Sequence, residues 1–180
     1  MNKSVTEILS RGGVGVLLTD TLYGVVGSAL DKKAVRSIYK IKGRDENKPF
    51  IILISSIKDL ELFNIAIDKK IEAQLKKFWP GPVSIILPCS HKKFEYLHRG
   101  TNTLAFRLPK KQTLIKILKI TGPLVAPSAN PQGAIPARSL KEAKGYFGDA
   151  VDFYAAEGKS KAKPSKIVRI SSGKLEILRK

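Results

Sequence analysis

Three cationic side chains lie close together in one short segment that could bind phosphate. Lys42, Arg44 and Lys48 are separated by only a few residues, and a glycine frees the backbone between the first two. Lysine offers phosphate a compact charge, and arginine offers a planar fork of donors. Most charged runs are solvated loops, but the apolar Ile41 and Phe50 flank this one and would tie it to the core. The segment therefore indicates a phosphate-binding loop, with a solvated loop as the alternative.

A single arginine interrupts the apolar segment Leu104-Ala105-Phe106-Arg107-Leu108-Pro109. A buried charge is costly unless it meets an opposite charge. Arg107 is thus predicted to bind a carboxylate or a phosphate, and an arginine facing outward from an edge strand is the alternative.

Three further segments adjoin predicted strands: residues 19–24 (Thr-Asp-Thr-Leu-Tyr-Gly), 126–130 (Ala-Pro-Ser-Ala-Asn) and 78–82 (Phe-Trp-Pro-Gly-Pro). The first two would present polar groups at a cleft. Taken alone, residues 19–24 also fit a hydroxyl-rich turn. The third fits a rigid corner between a helix and a strand at least as well as a ligand contact.

The remaining candidates for chemistry are Cys89, His91 and His98. A single cysteine cannot form an intrachain disulfide, and Cys89 follows an apolar stretch, so it is predicted to be a packed thiol and not a nucleophile. Two histidines and one cysteine make a poor metal site. Both histidines are expected at the surface, and no metal site is predicted.

The net charge of +18 comes from 33 Lys and Arg against 15 Asp and Glu. Such an excess favours anionic partners such as nucleotides or RNA. Because lysines occur in every segment, a solvated basic surface explains part of it. A basic RNA-binding module without catalysis is therefore an alternative function.

Hydrophobic periodicity gives the elements that must position these groups. Helices are predicted around residues 5–9, 34–41, 60–63, 71–79 and 114–120 and after residue 139; strands at 14–19, 50–54, 83–87, 103–108, 124–126 and 151–154; and a hairpin pairs 167–170 with 175–178. Residues 20–24 are predicted to be a turn, 92–100 a basic loop and 157–165 a mobile loop. Because the strands are too irregularly spaced for strict βαβ repetition, we expect one α/β domain over residues 1–180, with a twisted, open, mixed sheet flanked by helices.

The chain of 180 residues is long enough for one domain with a full core. No apolar run approaches the roughly 20 residues that span a bilayer, and the first residues lack the apolar core of a signal peptide. The expected location is the cytoplasm.

Taken together in their order along the chain, the five motifs resemble the YrdC-like family of threonylcarbamoyl-AMP synthases. The resemblance is strong from about Val14 to Pro136 and weaker beyond, and the length is that of single-domain members. It implies a twisted open sheet with a large basic cleft. It also implies that L-threonine, bicarbonate or CO₂, and ATP are converted to L-threonylcarbamoyladenylate and pyrophosphate. Other proteins then transfer the threonylcarbamoyl group to the adenosine beside the anticodon of certain tRNAs.

The resemblance also implies roles for individual residues. ATP binding falls to Arg44, Lys48, Thr103, Ser128, Asn130, Pro136 and Arg179; threonine binding falls to Thr21, Tyr23, Arg107, Ala126 and Ser165. Lys42 and Arg44 are the catalytic candidates, which would stabilise charge that develops on the phosphates. Mg²⁺ is expected on the phosphates, without a metal site on the protein. No side chain is an obvious nucleophile, so the carbamate of threonine is expected to attack the α-phosphorus itself.

Three positions depart from the family pattern. Leu18 replaces a common proline, and Leu53 replaces a polar residue that contacts threonine in some members. Residues 164–169 (Pro-Ser-Lys-Ile-Val-Arg) match the usual Ser-Thr-Ile-Val-Asp only in part. Residues 157–165 are expected to close over the cleft and exclude water from a labile product.

Overall fold

The computed structural model describes residues 4–155, 160, 162–171 and 174–179. Within them, nine strands form one mixed sheet in the order β7-β1-β2-β6-β3-β5-β4-β8-β9. The strands are β1 Gly15–Leu18, β2 Tyr23–Ser28, β3 Ile51–Leu53, β4 Val83–Pro88, β5 Thr103–Arg107, β6 Leu124–Val125, β7 Phe153–Ala155, β8 Lys166–Ser171 and β9 Lys174–Arg179. Three of the strand pairs are parallel (β7/β1, β3/β5 and β4/β8) and the other five are antiparallel, which confirms the predicted mixed α/β sheet.

Six α-helices and three 3₁₀ turns join the described strands. The helices are α1 Val5–Ser10, α2 Lys32–Lys42, α3 Lys69–Leu75, α4 Glu95–His98, α5 Gln112–Thr121 and α6 Leu140–Phe147; the 3₁₀ turns are Ile57–Phe63, Lys92–Phe94 and Gly148–Ala150. None of the helices in the described ranges is both long and apolar enough to cross a bilayer.

The end of α2 brings the predicted phosphate-binding loop to the sheet. Asp31 caps the start of the helix by accepting a hydrogen bond from the backbone N–H of Lys33. Gly43 ends the helix at φ 55°, a left-handed conformation in which glycine carries no Cβ penalty. The chain therefore turns sharply directly after Lys42 and enters β3 a few residues later.

The two faces of the sheet are covered differently. One face packs against α2, the 3₁₀ turn Ile57–Phe63 and the α4 region, in a core that includes Val25, Ile52 and Phe106. On the other face, α1 and α5 cover the part of the sheet from β7 to β3, where Leu17, Leu53 and Leu124 pack. The remaining part of this second face is open and forms the floor of a cavity.

Three local predictions were wrong. The predicted turn at residues 20–24 contains the start of β2, which was missed because it is buried on both faces and lacks polar alternation. The predicted basic loop 92–100 contains helical turns. His98, expected at the surface, is buried, and its Nδ1 accepts the backbone N–H of Gly100 at 3.2 Å.

The C-terminal prediction is confirmed where the chain is described. Strands β8 and β9 form the expected antiparallel hairpin. The hairpin tip at residues 172–173, and residues 157–159 and 161 of the predicted mobile loop, lie outside the described residues. Closure of that loop stays a prediction.

Candidate active site

The open part of the sheet forms a cavity of about 710 Å³. This volume is in the usual range for small-molecule sites. Ten of the thirteen predicted site residues line it, although they come from widely separated segments: Thr21, Tyr23, Arg44, Thr103, Arg107, Ala126, Ser128, Pro136, Ser165 and Arg179. The three that do not line it are Lys42, Lys48 and Asn130.

Backbone pairing holds the polar wall of the cavity together. Gly24 on β2 forms a β-bridge with Ser128, and the backbone N–H of Ala129 donates to the carbonyl oxygen of Tyr23 at 2.8 Å. A Cβ on Gly24 would come within 3.3 Å of the backbone oxygen of Pro127, so a larger residue would press the two segments apart. The motifs at residues 19–24 and 126–130 are therefore neighbours.

Arg107 is buried at the inner end of the cavity, as its apolar surroundings in sequence suggested. Only 4% of the residue is exposed, and its Nη1 donates to the hydroxyl of Thr21 at 2.8 Å. Its Nη2 lies 3.1 Å from a carboxylate oxygen of Asp20, whose side chain is 10% exposed and is not part of the cavity lining. Burial lowers the pKa of Arg107 and Asp20 raises it, so the pair keeps the guanidinium charged beside the threonine hydroxyl.

A second arginine is anchored next to this pair. The Nε and Nη2 of Arg179 donate to the carbonyl oxygen of Ser165 at 3.0 and 2.6 Å. The hydroxyl of Ser165 is 2.9 Å from that of Ser84, which is fully buried on β4. These bonds fix the orientation of Ser165 and Arg179 at the wall.

An aromatic stack supports the predicted phosphate-binding loop. The rings of Tyr39 and Phe50 stack with centroids 4.0 Å apart, and the guanidinium of Arg44 lies 5.5 Å from the Phe50 centroid. On the other side of the stack, the guanidinium of Arg99 lies 4.3 Å from the Tyr39 ring. Cation–π contacts of this kind attract a guanidinium to the face of the ring and so help to fix its orientation.

The carbonyl oxygen of Lys48 completes this support. It accepts hydrogen bonds from the Tyr39 hydroxyl and from Nε of Arg44, both at 3.1 Å. The Phe50 ring thus holds one face of the Arg44 guanidinium and the Lys48 carbonyl oxygen holds one edge, while Arg44 lines the cavity. The ammonium of Lys48 points elsewhere: it is largely exposed and lies 3.6 Å from Asp45.

Lys42 lies behind the wall of the cavity. The residue is 2% exposed, and its Nζ donates to the carbonyl oxygens of Ser128 and Asn130. Burial, with a smaller contribution from the charge of Arg44, lowers the pKa of Lys42 to about 7. A neutral amine still has two N–H donors, one for each carbonyl. Direct contact between Lys42 and a substrate stays a prediction.

Asn130 also faces the protein and not the cavity. Its Oδ1 accepts from the Ser128 hydroxyl at 2.6 Å, and its Nδ2 donates to the carbonyl oxygens of Pro131 and Ala134. Asn130 therefore orients Ser128 and shapes the turn. Leu53, at the position that is polar in some members, is fully buried in the second core.

Four residues near the cavity were not found by the sequence reasoning: Asp20, Arg99, Ser160 and Arg169. The Ser160 hydroxyl donates to the carbonyl oxygen of Thr21 at 2.6 Å. Two of them had a usable signal: Asp20 belongs to the polar motif at residues 19–24, and Arg169 alternates with Val168 and Ile170 in the predicted hairpin. Arg99 and Ser160 reach the site through tertiary contacts that no local pattern marks.

The remaining candidates have structural positions. Trp79 is buried and its indole N–H donates to the carbonyl oxygen of Val83 at 2.7 Å, in agreement with a packed corner. Cys89 is buried with its thiol 3.6 Å from the carbonyl oxygen of Phe63. Both lie outside the residues that line the cavity.

The lining is cationic. The described residues that line the cavity include four arginines (Arg44, Arg107, Arg169 and Arg179) and no carboxylate. Within the described part of the chain, no group of three or more His, Cys, Asp or Glu side chains could hold a metal ion. The cavity is thus suited to an anionic ligand, and the lining offers no carboxylate ligand for Mg²⁺.

Comparison with known proteins identifies the family. The Sua5/YciO/YrdC family model, described as "Telomere recombination", matches residues 7–180. The chain belongs to this family. It is 36% identical over 142 residues to the threonylcarbamoyl-AMP synthase of Pyrococcus abyssi, which covers 78% of this chain and 42% of that protein. It is 28% identical over 168 residues to the synthase of Thiobacillus denitrificans, covering 93% of this chain and 89% of that protein.

Solved structures of family members have the same fold. Sua5 of Pyrococcus abyssi in complex with L-threonine superposes with a TM-score of 0.88 at 29% identity, covering 97% of this chain and 52% of that one. Escherichia coli YciO superposes with a TM-score of 0.83 at 22% identity, covering 97% and 86%, a likeness that concerns the fold alone. The chain therefore spans about half of the Pyrococcus protein and most of the shorter family members.

Proposed function

We propose that this chain is an L-threonylcarbamoyladenylate synthase, a nucleotidyltransferase that forms threonylcarbamoyl-AMP and pyrophosphate from L-threonine, bicarbonate or CO₂, and ATP. The observation that carries the proposal is the convergence of ten predicted site residues on one cationic cavity. The names of the related synthases and the threonine complex of a relative support the same reaction.

The two ends of the cavity suit the two substrates. Arg107, with Thr21 beside it and Ser165 nearby, offers a buried guanidinium and hydroxyls for the carboxylate and hydroxyl of threonine. Arg44, Thr103 and Ser128 offer a charge and hydroxyls for the nucleotide phosphates. In this arrangement the amine of threonine lies between its carboxylate site and the phosphates.

The reaction needs no nucleophile from the protein. The neutral amine of threonine attacks CO₂ and loses a proton, which gives a carbamate. A carbamate oxygen then forms a bond to the α-phosphorus of ATP, while the bond from that phosphorus to the pyrophosphate oxygen breaks. The protein contributes alignment of the two substrates and stabilisation of negative charge, which Arg44 supplies in a fixed orientation.

Lys42 acts in this proposal as a positioning residue. Its Nζ holds the carbonyl oxygens of Ser128 and Asn130, and so fixes the turn that presents the Ser128 hydroxyl. Arg44 remains the residue that contacts phosphate. The exposed Lys48 contributes through its carbonyl oxygen, which accepts a hydrogen bond from Nε of Arg44 and orients it.

Mg²⁺ enters this proposal as part of the nucleotide substrate. Because the described lining has no carboxylate, the ion would be bound through phosphate oxygens and water. A cytoplasmic location, tRNA as the final acceptor and downstream threonylcarbamoyl-transfer proteins belong to the same proposal.

The test is incubation with Mg-ATP, labelled bicarbonate and L-threonine, followed by detection of labelled adenylate and pyrophosphate. We expect Arg44→Ala to lower the rate of adenylate formation about a hundredfold. Arg36→Ala is the matched control, since Arg36 is an exposed arginine on α2 that does not line the cavity. Equal rates in both variants would remove Arg44 from the mechanism.

A non-catalytic RNA-binding module is the alternative, and the net charge of +18 favours it. Such a module would bind RNA with a steep salt dependence and release no pyrophosphate from ATP. Absence of threonine-dependent pyrophosphate release from the wild-type protein would therefore refute the synthase.

A further inference from the structure

Arg169 faces the cavity, and the proposed function gives it no role. Strand β8 alternates: Val168 and Ile170 point into the core, whereas Ile167 and Arg169 line the cavity. Cross-strand pairing places Ile86 of β4 opposite Arg169, and Ala105 of β5 opposite Ile86. All three side chains line the cavity, so they form one row of its floor.

This row lies next to the region proposed for the nucleotide. Neighbouring strands are about 4.8 Å apart, so Arg169 starts about 10 Å across the sheet from Ala105. Thr103, two residues before Ala105 on β5, also lines the cavity. Arg107, two residues after Ala105 on β5, and Ile167, two residues before Arg169 on β8, also line the cavity and belong to the threonine region.

The other arginines of the lining already have partners. Asp20 neutralises Arg107, and Arg179 uses Nε and Nη2 on the carbonyl oxygen of Ser165. Arg44 is held at one side of the nucleotide site by the Phe50 ring and the carbonyl oxygen of Lys48. A triphosphate carries up to four negative charges, so its phosphates can also bind the guanidinium of Arg169, which faces the same cavity.

Arg169 is held only loosely in the structure. Its Nη1 lies 3.3 Å from a carboxylate oxygen of Glu176 on β9, and the two side chains are 45% and 60% exposed. Exposed ion pairs contribute little to stability because water screens them and both side chains lose freedom. A phosphate can therefore replace Glu176 as the partner of Arg169 at small cost.

We infer that Arg169 binds a phosphate group of the nucleotide and that Glu176 occupies its guanidinium when the nucleotide is absent. The inference rests on the proposed function, because it assigns a further ligand contact in the same cavity. It adds Arg169, on strand β8, to the nucleotide contacts that the resemblance implies, among which Arg179 of strand β9 is the other arginine of the hairpin.

The test is titration calorimetry of the full chain with Mg-ATP, and separately with L-threonine. We expect Arg169→Ala to weaken ATP binding about tenfold, since one charge-assisted hydrogen-bonded contact is lost at a half-exposed position. Threonine affinity should stay within twofold of wild type. Arg169→Gln, which keeps the length and loses the charge, should weaken ATP binding similarly.

Lys166→Ala is the matched control. Lys166 is an exposed cation on the same strand, but it lies outside the cavity lining. If both variants weaken ATP binding equally, the effect is one of net charge and the inference is wrong. It is also wrong if neither variant changes ATP affinity, or if Arg169→Ala weakens threonine binding instead.

Substitution of Glu176 should change the affinity for ATP in the opposite direction. Glu176→Gln removes the competing carboxylate, so ATP should bind about twofold more tightly. Unchanged or weaker binding would contradict the competition. If wild-type protein binds neither ATP nor threonine, the proposed function itself fails, whereas wild-type ATP binding with an unaffected Arg169→Ala variant refutes only this inference.

Discussion

Replacing Lys42 by methionine should remove one component of the pH dependence of stability. Burial lowers the pKa of Lys42 to about 7 in the folded chain, from an ordinary value of 10.5. Between these two values the unfolded chain binds a proton that the folded chain has lost. The free energy of unfolding therefore rises with pH in this window, and below pH 7 the full cost of the buried charge is present.

The size of the effect follows from the shift. Where the proton is bound only in the unfolded state, the free energy of unfolding changes by about 1.4 kcal/mol per pH unit. From pH 7 to pH 9, Lys42 should add about 2 kcal/mol, because the folded form is only half deprotonated at pH 7. Methionine keeps the chain length, cannot titrate, and leaves the carbonyl oxygens of Ser128 and Asn130 without their donor.

The assay is urea unfolding at pH 7, 8 and 9, followed by the fluorescence of the buried Trp79. All other titrating groups are shared, so the difference between the wild-type and variant slopes isolates Lys42. The exposed Lys40 on the same helix gives the control, Lys40→Met, which should keep the wild-type slope. Parallel profiles for wild type and Lys42→Met would refute the reasoning, whatever their absolute separation.

Three further outcomes follow from the contacts around the cavity. Asp20→Asn should lower the free energy of unfolding by about 3–5 kcal/mol, because it leaves Arg107 buried without its counter-ion; a loss below 1 kcal/mol in urea unfolding would contradict this. In a double-mutant cycle on kcat/KM for ATP, Arg99→Ala and Arg44→Ala should show an interaction free energy of about 1 kcal/mol, because the aromatic stack joins the two arginines. Strictly additive effects would show that the stack does not position Arg44. The Cys89 thiol, whose pKa burial raises, should react slowly with a thiol reagent at pH 8 until urea unfolds the chain, and prompt reaction of the native protein would contradict its burial.

Much of the fold could be predicted because its signals are local. The capping residue Asp31 and the left-handed Gly43 define α2, and the apolar runs of β3 and β4 mark strands wherever they pair. Strand β2 escaped prediction because burial on both faces removes the polar alternation that identifies a strand. His98 was misplaced since its burial depends on packing of the helical turns around it.

The candidate site, like the fold, could be predicted from the sequence only in part. The resemblance carried by the motif series implied ten residues that line the cavity, whereas residue chemistry alone pointed to the cations of residues 42–48 and to Arg107. Sequence could not show that Lys42 and Asn130 face inward, since that depends on which carbonyl oxygens the neighbouring turn brings within reach. Nor could it connect Arg99 to the loop at Arg44.

The sequence by itself determined the chemistry available to this protein: cations and hydroxyls at the ends of apolar strands, a packed thiol and a family resemblance. Only the tertiary structure decided which charges reach the cavity. Contacts between distant segments hold Arg107 in the cavity lining beside Asp20 and bury Lys42 behind it, while β8 turns Arg169 towards the cavity. Such contacts depend on distances across the sheet, which no spacing along the chain encodes.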